Sequence, residues 1–421
     1  MEPRSSDPAA RVAFRYSSFR YYMFARFLTT TSSEMQAVAV AWQVYAITNR
    51  PLDLGLVGLA HFLPGVFLFL IAGHTADRVP RRRILQLCYA AFSVCSLLLL
   101  ALALRGGASV FPVYAVLLLN GMVRSFNGPA GQAFLPLLVP EKHFPNAVAW
   151  GSSIFQAATI IGPMAGGVLY GWTGSPAPVY GCAALEYLAA LVLVSAIKIK
   201  AAAERGRRAE PAAAVLQGLQ YIWRNKLILG AISLDLFAVL LGGAVALLPV
   251  YAREILNVGA RGLGALRSAP GIGAVITAVL VAHWPVRRRA GAAMLGCVFG
   301  FGAFTIIFGL SRSFPLSLVV LGLAGACDMV SVIVRQTLIQ LATPDTMRGR
   351  VSAVNMLFIG ASNELGQFES GVTAQWLGTI PAVITGGAGT IAVVIAWARL
   401  FPALRRVDEL TPAPAAVKAA G

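Results

Sequence analysis

Little of this chain is charged. Asp, Glu, Lys and Arg make up 12% of its 421 residues, where an ordinary soluble domain is roughly a quarter charged, and a soluble enzyme is excluded. There are five cysteines and four histidines. Cys88, Cys95, Cys182, Cys297 and Cys327 all fall in apolar stretches without C-x-x-C spacing, and the histidines are scattered, so neither a disulfide framework nor a zinc site is encoded. No metal or other cofactor is expected. A Gly-Lys pair occurs nowhere, which removes the phosphate-cradling loop of a nucleotide-driven pump. No grouping of nucleophile, base and orienter is visible, so a membrane enzyme is a distant reading. The polar stretch Met1 to Arg20 lacks a small-residue cleavage pattern, and the first apolar span is expected to stay in the protein.

Apolar residues, by contrast, are abundant. At 57% of the chain they number about 240, enough for about 12 spans of roughly 20 residues each. Spans 1 to 6 are read at Tyr21–Ile47, Gly55–His74, Ile84–Leu104, Pro112–Leu135, Ala147–Tyr170 and Val179–Ile197. Spans 7 to 12 are read at Leu227–Tyr251, Leu263–His283, Ala290–Leu310, Pro315–Leu341, Val351–Leu377 and Ile380–Phe401. Runs of this length without alternation favour helices over a barrel, because in lipid each helix satisfies its own backbone hydrogen bonds. The expected fold is an all-α polytopic membrane protein of twelve transmembrane helices in two six-helix, pseudo-symmetric halves.

The net charge of +17 does not point to nucleic acid, because the basic residues alternate between loops and form no single face. With the N-terminus inside, cytoplasmic tails and loops, with Arg399 at the adjoining span end, hold 25 of the 34 Lys and Arg; outer loops, with Arg267 near the start of span 8, hold six; and Arg26, Arg124 and Arg335 lie deeper within spans. That asymmetry predicts a twelve-span protein with both termini in the cytoplasm. The bilayer and a small-molecule substrate are the expected partners, and the chain is expected to act as a monomer.

The organisation is read as a tail over 1–20, a bundle over 21–197, a linker over 198–226, a second bundle over 227–401 and a tail over 402–421. The linker is basic and Ala/Glu/Pro-rich. A shift of 204 residues lays Gly121, Gln132, Pro140, Gly162, Gly167 and Trp172 on Gly325, Gln336, Pro344, Gly366, Gly371 and Trp376. Two homologous halves would place a substrate site near the bilayer midplane.

After span 2 the chain reads Gly73-His74-Thr75-Ala76-Asp77-Arg78-Val79-Pro80-Arg81-Arg82-Arg83. This resembles the loop signature of the major facilitator superfamily, G-x-L-A-D-R-x-G-R-R, with departures at Thr75 and Pro80. The resemblance implies the major facilitator fold, alternating access, and a cytoplasmic gate made by Gly73, Asp77, Arg78, Arg81, Arg82 and Arg83. Asp77 is an anion at a helix end, able to accept from backbone N–H groups, and the arginines can clamp carboxylates or phosphates. The plainer reading is that Arg81 to Arg83 set topology and meet anionic lipid, but topology does not require Asp77. The matching loop of the second half keeps Arg287, Arg288 and Arg289 but has His283 near the acid's place, so the same lock is not expected there.

Arg124-Ser125-Phe126-Asn127-Gly128 resembles the R-x-x-Q-G signature, with Asn127 for Gln, and Gly162-Pro163-Met164-Ala165-Gly166-Gly167 is similar to the exporters' G-P-x-x-G-G. Small residues let helices approach and Pro permits a bend; a packing motif without bearing on transport direction is the alternative. The stretches Ala25–Leu28, Ala41–Tyr45 and Leu54–Gly58 resemble the branch with bacterial enterobactin exporters and macrolide efflux proteins.

Ionisable groups within spans are costly and usually face a cavity or a partner. Under the resemblance Glu34, Arg124, Asp235, Asp328 and Arg335 line a central cavity, with Asn127, Glu364 and Gln367 as further candidates. Asp328, Ser331 and Arg335 share one face of span 10, and Arg124 is the expected partner of Asp328. Glu34, then Asp328 and Glu364, are the candidates for carrying a proton; a permanent ion pair is the competing role for each. His61 and Glu186 read more readily as helix-contact residues. The whole implies an ion-gradient-driven, proton-coupled exporter of an amphipathic small molecule such as a drug, macrolide or siderophore. A lipid or lysolipid flippase or an importer of the same fold is the first rival, and a non-transporting membrane assembly factor the second.

Overall fold

The computed structural model describes residues 9–107, 109–198, 211–284 and 288–408, and among them no strand occurs. After a 3-10 helix, Ala9–Arg15, come α1 (Ser17–Thr48), α2 (Pro51–Arg78), α3 (Arg81–Arg105), α4 (Phe111–Phe134), α5 (Phe144–Thr173) and α6 (Ala177–Ala196). There follow α7 (Pro211–Arg224), α8 (Lys226–Gly242), α9 (Leu248–Val250), α10 (Gly259–His283), α11 (Ala290–Leu310), α12 (Phe314–Ala342), α13 (Asp345–Leu377), α14 (Thr379–Leu400) and α15 (Pro402–Arg405). Nine of the described helices are long and apolar enough to cross a membrane. The other long ones, α1, α4 and α13, carry Glu34, Arg124, and Glu364 with Glu369; such helices keep a polar side turned away from lipid. The protein is a multi-pass, all-α membrane protein.

Helix ends follow local chemistry. Asn49, Gly106 and Gly174 close α1, α3 and α5 in the left-handed conformation, which Gly and Asn tolerate best. Asn225 separates α7 from α8 by accepting from the N–H groups of Leu227 and Ile228 at 3.2 and 3.3 Å, an N-cap. Two differences from the expected spans have clear causes. α13 begins at Asp345 and not at Val351, because its first turns are polar and start directly after Pro344. Span 7 is not one helix: α8 stops at Gly242, a 3-10 turn covers Ala244–Leu247, and Tyr251–Ile255 makes a π turn. Gly242 fits the break because a Cβ there would meet the Phe301 ring and Thr390 Oγ1, both at 2.7 Å. Ser370 Oγ donates to the freed carbonyl of Gly243 at 3.0 Å, so the interruption leaves no orphan acceptor there.

The chain divides into two compact units. Unit 1 comprises Met1–Asn49, Ala60–Glu210 and Val258–Ser268, and unit 2 comprises Arg50–Leu59, Pro211–Asn257 and Ala269–Gly421. Inside unit 1, Phe19, Met23, Leu85, Phe134 and Tyr187 form a buried cluster. Polar links tie its helices: Gln36 Nε2 donates to Ser96 Oγ at 2.5 Å, Ser93 Oγ to the Ala184 carbonyl at 3.0 Å, and Tyr22 OH to that of Gly131 at 2.8 Å. Within a bilayer, close approach and such bonds replace the hydrophobic drive between helices. Close approach comes from glycine: a Cβ on Gly121 would sit 2.6 Å from the His61 carbonyl, one on Gly162 2.9 Å from the Thr31 carbonyl, and one on Gly167 2.8 Å from Gly264 Cα.

Unit 2 repeats these contacts. Gly325 of α12 lies against the backbone of Pro270 in α10; a Cβ on Gly366 would meet the Leu240 carbonyl at 3.0 Å, and one on Gly371 would meet Gly55 Cα at 2.8 Å. The 204-residue repeat is thus a repeat of contacts: Gly121 and Gly325 seat α2 and α10, Gly162 and Gly366 seat α1 and α8, and Gly167 and Gly371 seat the first turns of α10 and α2. Within the connection Lys198–Lys226, the described part holds α7, packed through Ile222 against Ile228, Ile339 and Val351.

Gly167→Leu and Gly371→Leu should each destabilise the protein by about 1–3 kcal/mol through overpacking. Gly181→Leu, at a position where a Cβ meets nothing within 4 Å, should stay within about 0.5 kcal/mol. Thermal unfolding of the three variants in one detergent checks this.

Candidate functional site

In unit 2, α8 presents Asp235 and α12 presents Arg335, and the two form an ion pair with side-chain exposures of 7% and 3%. Apolar neighbours keep it dry: Ala231, Leu234, Ala238, Val334 and Leu338 belong to one buried cluster. Ser331 is buried one turn earlier on α12, and Asp328, two turns earlier on the same face, interacts electrostatically with both Asp235 and Arg335. Asp235 alone holds the guanidinium in an ion pair, and Asp328 stands near enough to feel both charges. Asp235 is the partner that the structure gives Arg335; Arg124, the residue expected opposite Asp328, belongs to unit 1.

Glu364 and Gln367 lie on the side of α13 that faces the first turns of α2. A Cβ on Gly58 would meet Gln367 Cβ at 2.9 Å and the Glu364 carbonyl at 3.2 Å. Gln367 Nε2 donates to Glu364 Oε2 at 3.3 Å. Glu369 turns elsewhere and accepts from Thr373 Oγ1 at 2.8 Å.

In unit 1, Glu34 Oε2 lies 3.9 Å from Arg267 Nε, with side-chain exposures of 29% and 20%. Arg267 was missed among in-span charges because a topology count assigns it to an outer loop, yet it belongs to α10. Its position after Leu263, where span 8 was read to begin, was the available signal. Gly162 brings α5 against Glu34 Cβ, at 2.6 Å from a Cβ of its own. Arg124 is exposed although it sits within α4. Asn127 Oδ1 and His61 Nδ1 are buried without a hydrogen-bond partner among the described residues. Arg26 stands 5.9 Å over the Phe155 ring, and Glu186 accepts from Ser32 Oγ at 2.5 Å, tying α6 to α1.

The loop motif does something that sequence did not disclose. Arg82 Nε donates to the Val194 carbonyl at 3.2 Å, its Nη2 donates to the Ser195 carbonyl, and Gln86 Nε2 donates to Ser195 Oγ at 2.8 Å. A cation on the last carbonyls of α6 satisfies them and complements the negative end of the helix dipole. Arg78 and Arg83 are exposed and Arg81 is half-buried. Gly73 lies within α2, while the side chain of Asp77 lies outside the described residues. In the second half Arg287 also lies outside them. There the acid comes from far along the chain: the N–H of Arg289 donates to Asp408 Oδ1 at 2.8 Å, and that of Ala290 to the Asp408 carbonyl at 3.2 Å, capping α11. In the G-P-x-x-G-G stretch, Gly162 and Gly166 seat α1 and Gly167 seats α10, with Pro163 inside α5.

A sequence profile of the family described as transmembrane secretion effector, within the major facilitator superfamily, matches residues 9–418. The chain belongs to that family. The enterobactin exporter EntS of Shigella boydii serotype 4 is 26% identical over 401 residues, covering 94% of this chain and 95% of that protein. The one from Citrobacter koseri is 26% identical over 405 residues, covering 95% of each. Among solved structures, a bacterial homologue of the human lysosomal transporter Spinster aligns with TM-score 0.70 at 14% identity, over 92% of this chain and 96% of its own. A D-xylose–proton symporter aligns with TM-score 0.70 at 13% identity, over 93% and 99%. These last two are likenesses of fold. Family and fold make this secretion-effector member a major facilitator transporter.

Arg335→Ala should cost this transporter about 3–5 kcal/mol by leaving Asp235 buried and unpaired, whereas Asp235→Ala with Arg335→Ala should recover most of that loss. A double-mutant cycle on thermal unfolding in detergent reads the coupling.

Proposed function

We propose that this transporter is a proton-coupled exporter that moves an amphipathic small molecule of the siderophore, macrolide or drug kind across a bacterial inner membrane by alternating access, with both termini in the cytoplasm. The observation that carries the reading is the buried Asp235–Arg335 pair in unit 2 with a second carboxylate, Asp328, two turns before Arg335 on the same face of α12. With Asp235 neutralising Arg335, the site reaches charge balance when Asp328 holds a proton, because an unpaired buried carboxylate is costly. Asp328 takes that proton when the site opens outward and gives it up when the site opens to the cytoplasm. Glu34, beside Arg267, and Glu364, beside Gln367, are the other candidates. The exposed in-span Arg124 suits acidic or catechol oxygens on the substrate, which a guanidinium can grip with two parallel bonds. Asn127 can add a polar contact one helical turn further along α4. The loop from Gly73 to Arg83, Asp77 included, serves as the cytoplasmic gate. Exporters of enterobactin among the relatives support the direction and the substrate class, and an ion gradient is the energy source.

The test is accumulation of macrolides and secretion of catecholate siderophores by efflux-deficient bacteria expressing the protein. Expression should lower accumulation or raise secretion several-fold, and an uncoupler or Asp328→Asn should abolish the effect at matched protein levels. Asp328→Asn that exports as well as the parent would remove Asp328 from the proton path. Unchanged accumulation and secretion with well-inserted parent protein would sink the exporter reading and leave a lipid substrate to examine.

A further inference from the structure

The helix α7 has three distinct sides. One packs on the protein: a Cβ on Gly218 would lie 2.7 Å from the Arg350 carbonyl, Tyr221 OH donates to the Ala342 carbonyl at 3.0 Å, and Ile222 is fully buried. A second is apolar and bare: Leu216, Leu219 and Trp223 are 56%, 37% and 67% exposed. Their spacing, i, i+3 and i+7, lines them up along one stripe. The third is polar, with Gln217, Gln220 and Arg224 all exposed. A helix standing free in water has no use for the second side.

Position says what covers it. Only Asn225 separates α7 from α8, a membrane-spanning helix, so the end of α7 that carries Trp223 lies at the level where the chain enters hydrocarbon. Tryptophan is favoured at that depth. The surroundings are cationic: Arg224, Lys226, Arg348 and Arg350 are all exposed, and in sequence Lys198, Lys200, Arg205, Arg207 and Arg208 precede the helix. Apolar stripe, aromatic anchor and flanking bases are the features of a helix that lies in the interface of an anionic leaflet.

We infer that α7 is a membrane-surface anchor: Leu216, Leu219 and Trp223 enter the acyl boundary of the leaflet next to the start of α8, while Arg224, Lys226, Arg348 and Arg350 hold anionic lipid headgroups. Unit 2 is thereby fixed in depth through a segment that is not a span. The inference stands apart from the transport reading, since it uses none of the charges invoked there.

Electron paramagnetic resonance on the full-length protein in lipid nanodiscs tests it. A nitroxide is attached through Leu216→Cys, Leu219→Cys, Trp223→Cys, Gln217→Cys and Gln220→Cys, one at a time, with the five native cysteines replaced by serine. Labels at 216, 219 and 223 should be relaxed by oxygen more than by an aqueous nickel chelate, and those at 217 and 220 the reverse. Replacing a third of the phosphatidylcholine by phosphatidylglycerol should move the first three deeper. Water access at all five positions would overturn the anchor. Closure of the stripe to both reagents would overturn it too, and would mean that another protein or another part of this chain covers it. Equal depth in neutral and anionic discs would overturn the headgroup contact. If the serine background does not fold, quenching by bromine-labelled phosphatidylcholine decides: the parent should lose more fluorescence than Trp223→Phe, and equal loss would refute the insertion.

Discussion

The ion pair between Asp235 and Arg335 sits where neither side chain reaches water, and hydrocarbon offers nothing in its place. A charge taken out of water carries a penalty of several kcal/mol, which only a partner of opposite sign and good geometry can offset. The same constraint reaches the uncharged groups. Gln36 bonds to Ser96, Ser370 takes up the carbonyl freed at Gly243, and Arg82 covers the last carbonyls of α6. These helices are held in register by polar groups that would otherwise have no partner, and by backbones brought near enough for dispersion to count.

Close approach is organised by the internal repeat. Gly121, Gly162 and Gly167 do in unit 1 what Gly325, Gly366 and Gly371 do in unit 2. The pairing is reciprocal at one point: the first turns of α10 pack on α5 in unit 1, and those of α2 pack on α13 in unit 2. Each of these two helices is continuous, and each bears a proline, Pro64 or Pro270, shortly after its contribution passes from one unit to the other. A proline inside a helix removes one backbone hydrogen bond and permits a bend.

The helices were legible in the sequence because a bilayer imposes a length and a composition on them, and the loop motif and glycine repeat were legible because they are local. Longer-range facts were not. Nothing near Arg289 announces that Asp408 caps the same helix, since the two are 119 positions apart. The break after Gly242 was hidden because both sides of it are apolar, and hydropathy does not register a change from α to 3-10 geometry. Charge counting for topology put Arg267 outside when it stands beside Glu34. The candidate acids Glu34, Asp235, Asp328 and Glu364 all fall on helices, but which one meets Arg335 depends on how α8 and α12 rotate about their axes, and one sequence does not give that angle.

Sorting the in-span charges by unit exposes an imbalance. Among the described residues of unit 1, Arg26, Arg124 and Arg267 stand with Glu34 and Glu186, while unit 2 holds Arg335, and Arg399 in the last turn of α14, with Asp235, Asp328, Glu364 and Glu369. An excess of buried acids is relieved by taking up protons, and an excess of arginines is relieved by taking up an anion. Under the proposed reading the two loads therefore fall on different units: the proton on the second, an acidic or catechol-bearing substrate on the first. A transporter that binds both loads in one pocket can couple them by direct competition. One that binds them in separate units cannot couple them in that way and needs a change of conformation to carry the effect from one load to the other.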